Sequence, residues 1–235
     1  MEWERNEAEG GAAPELQVGP ALTFGWEVVS GNLKTWIPAT LALAAAAVIP
    51  DLMSTYLQEQ GATLQATLVW ALGVLLMAFL WVGMVRMSLD AVEGTAVELG
   101  TLTSQAHLIL RYVVASFIFG VAFFVGSLFF VIPGLVVLVF LYFYDYVMVD
   151  RQAGVLASLR GSADLGEGNR LRIFFFLLAL LVLNIVGALV FLVGLLLTLP
   201  ITYVASAHAY RQLTTASSGS SSEASPWRSP PPSSA

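Results

Sequence analysis

The sequence predicts an all-α polytopic membrane protein. Its six transmembrane helices form three helical-hairpin repeats, joined by short amphipathic cytoplasmic connectors. Three observations predict this class: the composition, three long stretches almost free of charge, and the placement of all basic residues on one side. The chain has 235 residues, of which 57% are hydrophobic and only 11% are charged, with a mean hydropathy of +0.80. A soluble domain carries roughly 25% charged residues, so the composition excludes an ordinary soluble protein.

The first apolar stretch, 35–85, contains only two charged residues, Asp51 and Glu59. It is far longer than the roughly 20 residues that one helix needs to cross a bilayer, so the chain must fold back within it. The segment 51–61 is its only polar part and marks the turn. The expected spans are 35–57 and 63–88.

The other two stretches, 112–149 and 173–210, are each 38 residues long. A single helix of that length would measure about 57 Å, against a hydrocarbon core of about 30 Å, so each stretch must also form a hairpin. Pro133-Gly134 and Gly194 are the expected turns. Apolar runs without alternating polarity exclude a membrane β-barrel, and helices then satisfy the backbone in lipid. The expected spans are 112–132, 134–149, 171–192 and 195–212.

Polar tails flank the membrane domain, which we place at 21–213. Residues 1–20 contain five Glu and one Arg, without the basic start and apolar run of a secretory signal. Residues 214–235 are rich in Ser, Pro and Ala. Neither tail can bury enough apolar surface to offset the entropy lost on ordering. We therefore expect both tails to be disordered.

All ten Lys and Arg fall on one side of the six predicted spans. The turns at 51–62, 133–134 and 193–195 contain none. Because basic residues are retained in the cytoplasm, we expect a multi-pass protein of the bacterial inner membrane with both termini cytoplasmic. The ten residues are Arg5, Lys34, Arg86, Arg111, Arg151, Arg160, Arg170, Arg172, Arg211 and Arg228.

Matching residues recur at intervals of 60 or 61 positions. Gly126 and Gly187 are each the fifteenth residue of a 38-residue stretch, and Asp90 recurs as Asp150. The segment 150–152, Asp-Arg-Gln, matches Tyr-Arg-Gln at 210–212. The shared register indicates duplication of a unit made of a connector, a basic residue and a hairpin. Since each unit begins on the cytoplasmic side, the repeats are parallel.

The connectors between hairpins carry short apolar stripes at helical spacing. Such helices either lie in the headgroup layer or pack on the bundle, and the sequence leaves both alternatives open. Asn32 and Asn169 are placed to cap the N-termini of the helices that follow. The stripes are Leu22, Trp26, Val29 and Leu33 in the first connector, and Val155, Leu156 and Leu159 in the third.

Short motifs that contain Gly, Pro and Arg, set within the apolar sequence, carry a family resemblance. They are Val-Ile-Pro-Gly at 131–134, an aromatic-rich helix ending at 149–150, the segment 157–169, and the hairpin from Gly187 to Gly194 ending Ala-Tyr-Arg-Gln-Leu at 209–213. The pattern resembles a family of bacterial integral membrane proteins of unknown function. Similar hairpins form the membrane domain fused to some glycerophosphodiester phosphodiesterases. The resemblance implies a six-helix membrane domain, and it carries over no enzymatic residue because the phosphodiesterase domain is absent here.

No catalytic constellation emerges from the sequence. There is no P-loop, no metalloprotease motif and no nucleophile elbow, and the chain has no Cys. The two His, His107 and His208, lie in different repeats and form no ligand pair. We expect no enzymatic activity, no cofactor and no metal.

Four charged residues remain as candidate site residues. Asp145 is an acid inside a predicted span, which marks a proton or cation site by default. The alternative interpretation is a carboxylate that reaches the interface within a belt of tyrosines and bonds a Tyr or Arg151. Three further candidates, Arg160, Arg170 and Arg172, precede the fifth span and suit anionic headgroups, although they also serve as topology signals.

These patterns favour a non-catalytic membrane module that interacts with lipid or a protein partner through its cytoplasmic face. The alternative is a small transporter or channel that uses Asp145 and helices broken at Pro38, Pro50 and Pro200. The expected partners are the bilayer and an anionic lipid or protein on the cytoplasmic side, with no nucleic acid. The sequence leaves the oligomeric state open.

Overall fold

A computed structural model describes residues 15–129, 131–190 and 193–223. Within these residues the chain is helical and contains no strand. Two short 3-10 helices, Leu99–Thr103 and Ala106–Leu108, precede the fourth α-helix. The α-helices are α1 (Val18–Gly31), α2 (Leu33–Glu59), α3 (Thr63–Val92), α4 (Ile109–Phe129), α5 (Val131–Leu141), α6 (Tyr144–Arg151), α7 (Val155–Leu165), α8 (Arg170–Leu189) and α9 (Leu195–Glu223).

Five helical segments are long and apolar enough to cross a membrane, and they correspond to the first five predicted spans. Large apolar side chains such as Phe124 and Leu181 stand exposed on their outer faces, as a lipid-facing surface requires. The all-helical class is thus confirmed, and five segments suit a membrane protein by length and composition. The predicted span 195–212 lies in α9, which is not among the five. The five segments are Leu33–Glu59, Thr63–Val92, Leu99–Leu128, Ile132–Arg151 and Arg170–Leu189.

Glycines bring consecutive helices into close contact in three places. A Cβ built on Gly73 of α3 would overlap the ring of Pro50 on α2. One on Gly126 of α4 would lie 3.1 Å from the backbone nitrogen of Gly134 on α5. The third contact joins Gly187 of α8 to Thr198 of α9. These glycines allow the paired backbones to approach, which is how membrane helices gain packing energy without a hydrophobic driving force.

The fourth apolar segment is interrupted at Tyr142 and Phe143, between α5 and α6. Ser162 of α7 bridges the interruption. Its hydroxyl oxygen accepts a hydrogen bond from the Phe143 N–H (3.1 Å) and donates one to the Phe140 carbonyl (3.0 Å). Backbone groups freed inside a membrane domain need such partners. By contrast, α2 and α9 run through Pro38, Pro50 and Pro200 without interruption, so the prediction of helices broken at these prolines is wrong.

Helix α1 packs along α9 through its small residues. Ala21 and Gly25 are buried, and a Cβ on Gly25 would lie 2.9 Å from the Ile201 carbonyl oxygen. Of the predicted stripe, Val29 is buried against the bundle, whereas Trp26 is 56% exposed. The sequence stripe was chosen by hydrophobicity and therefore included the large Trp26. The close contact between α1 and α9 instead buries the small residues Ala21 and Gly25.

Helix α7 also packs on the bundle. It buries Ser158, Leu159, Ser162 and Leu165 against the neighbouring helices, while Leu156 is exposed. Both amphipathic connectors therefore bury one face against the protein.

Two details of the helix ends differ from the predictions. Asn32 and Asn169 occupy the N-cap positions of α2 and α8, but neither side chain bonds its own helix. Asn32 instead donates to the Val28 carbonyl, and Asn169 accepts the Leu16 N–H. Both amides join neighbouring segments, so the prediction of side-chain capping is wrong.

The boundaries predicted for both tails are also corrected. Leu16 is buried, Glu15 forms an ion pair with Arg172, and α1 begins at Val18, so residues 15–20 belong to the folded domain. At the other end, α9 continues to Glu223, ten residues beyond the expected boundary at 213. The remainder of each predicted tail, 1–14 and 224–235, lies outside the described residues.

Candidate functional site

Asp145 lies in the first turn of α6, directly after the interruption, and its side chain points into the bundle with 6% of the residue exposed. One carboxylate oxygen accepts a hydrogen bond from the indole N–H of Trp81 on α3 (3.1 Å), and the other accepts the Tyr146 N–H (2.9 Å). The predicted partners, a Tyr hydroxyl or Arg151, are therefore wrong, whereas the interfacial depth of Asp145 stays a prediction. Among the described residues no cation forms an ion pair with Asp145. A buried carboxylate without a countercharge is costly and marks a functional candidate.

A group of tyrosines surrounds Asp145, and their hydroxyls bond within the protein. The sequence placed Tyr142, Tyr144 and Tyr146 in an interfacial belt, but they join helices inside the bundle. The pairs are Tyr142 with Ser206 (2.8 Å), Tyr144 with Ser116 (2.8 Å) and Tyr146 with the Tyr203 carbonyl (3.1 Å). The Tyr203 hydroxyl is buried without a hydrogen-bond partner in the described part of the chain.

A cavity of about 580 Å³ lies between α2, α3 and α4. Trp81 forms part of its wall, so one indole both lines the cavity and bonds the Asp145 carboxylate. Most of the wall is apolar, including Ala47, Val74 and Met77. Its polar groups are the side chains of Asp51, Tyr112 and Ser116. The indole N–H groups of the two lining tryptophans, Trp70 and Trp81, add to them. A mostly apolar concave site with a few converging polar groups is the usual form of a small-molecule site.

A second polar feature joins the C-terminal end of α3, the end of α6 and the middle of α9. We call it the charged cluster: Arg86, Asp90, Glu93, Asp150, Tyr210 and Arg211. Arg86 pairs with Asp90 and Glu93, and Arg211 pairs with Glu93 and, through both terminal nitrogens, with Asp150 (2.6 and 3.2 Å). The Tyr210 hydroxyl donates to Asp150 (2.7 Å). Bidentate, partly buried pairs of this kind fix helix positions more firmly than exposed pairs.

The sequence did not identify the charged cluster as a unit. Its only signal was the recurrence of Asp90 as Asp150 and the alignment of Asp150 with Tyr210, each 60 positions apart. The structure brings these three positions into one network of ion pairs and hydrogen bonds.

The three arginines proposed for headgroups have different surroundings. Arg172 pairs with Glu15, and the Arg170 guanidinium lies 3.9 Å from the centre of the Phe140 ring. Arg160 is exposed and has no ion pair in the described ranges. Arg172 is thus paired within the protein, whereas Arg160 and Arg170 are exposed and have no ion pair among the described residues.

The two histidines lie in different environments. His107 bonds Gln152 (2.6 Å), and His208 stacks on Phe24 with ring centres 4.5 Å apart. Within 15–129, 131–190 and 193–223, no three His, Asp or Glu side chains form a metal-ligating group.

The fold is that of an all-helical protein of membrane type, with a partly open cavity between three of its helices. The chain belongs to the family described as Domain of unknown function (DUF7847), whose model matches residues 16–225. It is also similar to the uncharacterized protein Rv2560 of Mycobacterium tuberculosis, with 28% identity over 224 residues that cover 84% of this chain and 69% of that protein. No solved structure matches the chain.

Proposed function

We propose that this chain is a non-catalytic integral membrane module that binds an amphiphilic molecule of the bilayer in the cavity between α2, α3 and α4. The observation that carries the proposal is the cavity itself, with apolar walls and polar groups from Tyr112 and Ser116. An acyl chain or other apolar body suits the walls, and a polar group suits the hydroxyls. The non-catalytic part rests on the sequence, which offers no nucleophile, general base or metal set at a recognised spacing.

Filling the cavity tests this proposal. Ala47 lines it and is exposed, so Ala47→Phe places a ring in the binding space without disturbing the packed core. The measurement is the lipid retained by the protein after extraction into native nanodiscs and transfer to detergent, identified by mass spectrometry. We expect the variant to lose a lipid species that the unchanged protein retains in about equimolar amount.

Ile49→Phe is the matched control. Ile49 is 60% exposed and does not line the cavity. At 100° per residue it stands about 200° around α2 from Ala47, on the opposite face. The control should keep the retained species. Equal retention by both variants, or no specific species in the unchanged protein, would contradict the proposal.

The proposed architecture is six spans in three parallel hairpin repeats, with both termini in the cytoplasm of a bacterial cell. Two observations support it. Each hairpin has a close glycine contact, at Gly73, Gly126 and Gly187. Asp90, Asp150 and Tyr210, at intervals of 60, meet in the charged cluster. Kinship with the membrane domain fused to glycerophosphodiester phosphodiesterases stays a prediction, as does headgroup binding at the cytoplasmic face by Arg160, Arg170 and Arg172.

A small transporter or channel is the second candidate function. The observation that favours it is Asp145, a buried acid with no ion pair in the described residues. A translocation pathway would admit water, so single cysteines at cavity positions of α3 and α4 should react with a membrane-impermeant maleimide. Positions on the lipid face of the same helices serve as controls. Absence of reaction at cavity positions would exclude this function.

A further inference from the structure

The formal charges in and beside the described lining of the cavity are negative. Asp51 is part of its lining, and the Asp145 carboxylate lies behind the Trp81 side chain, one hydrogen bond away from the wall. No Lys, Arg or His contributes to the described lining. Because charges interact more strongly where water is scarce, the two carboxylates give this space a preference for positive charge.

The wall also presents aromatic rings. Trp70, Trp81, Tyr112 and Phe117 line the cavity. Trp81 meets the Tyr203 ring edge to face, with centres 5.2 Å apart, and the buried Tyr203 hydroxyl has no partner among the described residues. Tryptophan and tyrosine faces attract organic cations, most strongly when water is excluded. Aromatic rings backed by carboxylates are the arrangement that recognises quaternary or protonated amines.

We propose that the ligand of this cavity is a lipophilic organic cation, with its charged centre against Trp81 and Tyr112 and its apolar body along Ala47, Val74 and Met77. This inference rests on the proposed function, since it names the chemical class of the molecule that the same cavity takes. A fatty acid or anionic lipid would place its charge near Asp51 and Asp145 and be repelled. A metal ion would need several oxygen ligands, and no three Asp, Glu or His side chains of the described residues come together to supply them.

Tetraphenylphosphonium and tetraphenylborate are suitable probes, because they have nearly the same shape and opposite charge. Binding is measured by equilibrium dialysis of the full chain in nanodiscs of neutral phosphatidylcholine, with empty nanodiscs subtracted. We expect saturable binding of the phosphonium at one site per chain and no saturable binding of the borate. Asp145→Asn and Asp51→Asn should each weaken phosphonium binding by about tenfold, the change that corresponds to one lost charge contact of roughly 1.4 kcal/mol.

Asp164→Asn is the matched control, since Asp164 is exposed on α7 and does not line the cavity. It should bind as the unchanged protein does. Asp51 is exposed, so its variant tests the inference even where Asp145→Asn fails to fold. An unchanged affinity in Asp51→Asn would overturn the inference whether or not Asp145→Asn folds, and so would an unchanged affinity in a folded Asp145→Asn.

The failure of this inference can be distinguished from the failure of the proposed function. If both probes bind equally and Ala47→Phe abolishes both, the cavity binds amphiphiles without charge preference, and only the inference is overturned. If neither probe saturates while Ala47→Phe still loses its retained lipid, the inference again fails alone. If Ala47→Phe changes neither lipid retention nor probe binding, both are overturned.

Discussion

At the scale of single residues, the contact between Trp81 and Asp145 joins the candidate cavity to the bundle interior. The indole N–H is the only side-chain donor to this carboxylate in the described structure. Trp81→Phe removes the donor and leaves a buried charged oxygen unpaired. We expect a loss of about 1–3 kcal/mol in the free energy of unfolding, measured by titrating sodium dodecyl sulfate into dodecyl maltoside micelles.

The matched control for this substitution is Trp70→Phe. Trp70 lines the same cavity but is 54% exposed, so its loss should cost much less. In the Asp145→Asn background the cost of Trp81→Phe should shrink, because an unpaired neutral amide is less costly to bury than an unpaired carboxylate. Equal costs in the two backgrounds would show that the indole contributes only packing.

Only half of this pair was predictable. The sequence singled out Asp145 because an acid interrupts a long apolar run. Its partner is 64 residues away on another helix, and nothing in the local pattern around Trp81 differs from an ordinary apolar span. Likewise the rings of Tyr142 and Tyr144 suggested an interfacial belt, because sequence alone does not show which hydroxyls find partners inside the bundle.

At the scale of elements, the docking of α1 on α9 depends on small residues rather than on large apolar ones. Gly25 and Gly19 lie in the same helix and provide a direct comparison. A Cβ on Gly25 would meet backbone atoms of α9, with the Ala205 nitrogen at 3.2 Å, whereas a Cβ on Gly19 would have nothing within 4 Å. Backbone atoms in a packed helix cannot move aside as the end of a flexible side chain can.

Gly25→Ala should therefore destabilise the docking of α1, by about 1–3 kcal/mol for overpacking. Gly19→Ala should leave the docking intact, because its Cβ would meet no atom of another helix. Hydrogen exchange of the 18–31 segment in nanodiscs measures both effects. Faster exchange in Gly25→Ala but not in Gly19→Ala is the expected result, and identical exchange in the two variants would contradict this account of the interface.

The elements themselves were largely predictable, since length and apolarity decide where a helix crosses a bilayer. The first five predicted spans correspond to the five apolar helical segments. The interruption at Tyr142 and Phe143 was not predictable, because neither residue is a helix breaker and the support comes from Ser162 on α7. The sixth span, 195–212, stays a prediction: α9 contains Thr198, His208 and Arg211 and buries much of its length in the bundle.

At the scale of the whole molecule, the charged cluster lies at an end of the bundle that also carries basic residues. Arg86 and Arg211 lie in the cluster, and Arg151 adjoins Asp150 within it. If basic residues mark the cytoplasmic side, then α3, α6 and α9 meet on that side through Asp90, Asp150 and Tyr210, which are spaced by 60 residues. Duplication of one unit, as proposed above, would account for this arrangement, because equivalent positions of the three repeats would then meet in one network of ion pairs and hydrogen bonds.

The topology of the whole chain is directly testable through the cysteine-free background. Single cysteines at Gln60, Ile132 and Val193, exposed residues at or beside the three turns, are expected to be periplasmic, since these turns contain no basic residue. A cysteine at Gly154 or Glu167, in the connector that carries Arg160, is expected to be cytoplasmic. In intact cells a membrane-impermeant maleimide should label the first group only, and disruption of the membrane should add the second. Labelling of Gly154→Cys in intact cells, or protection of Val193→Cys there with labelling after disruption, would contradict six spans with cytoplasmic termini, because an odd number of crossings moves one turn to the other side.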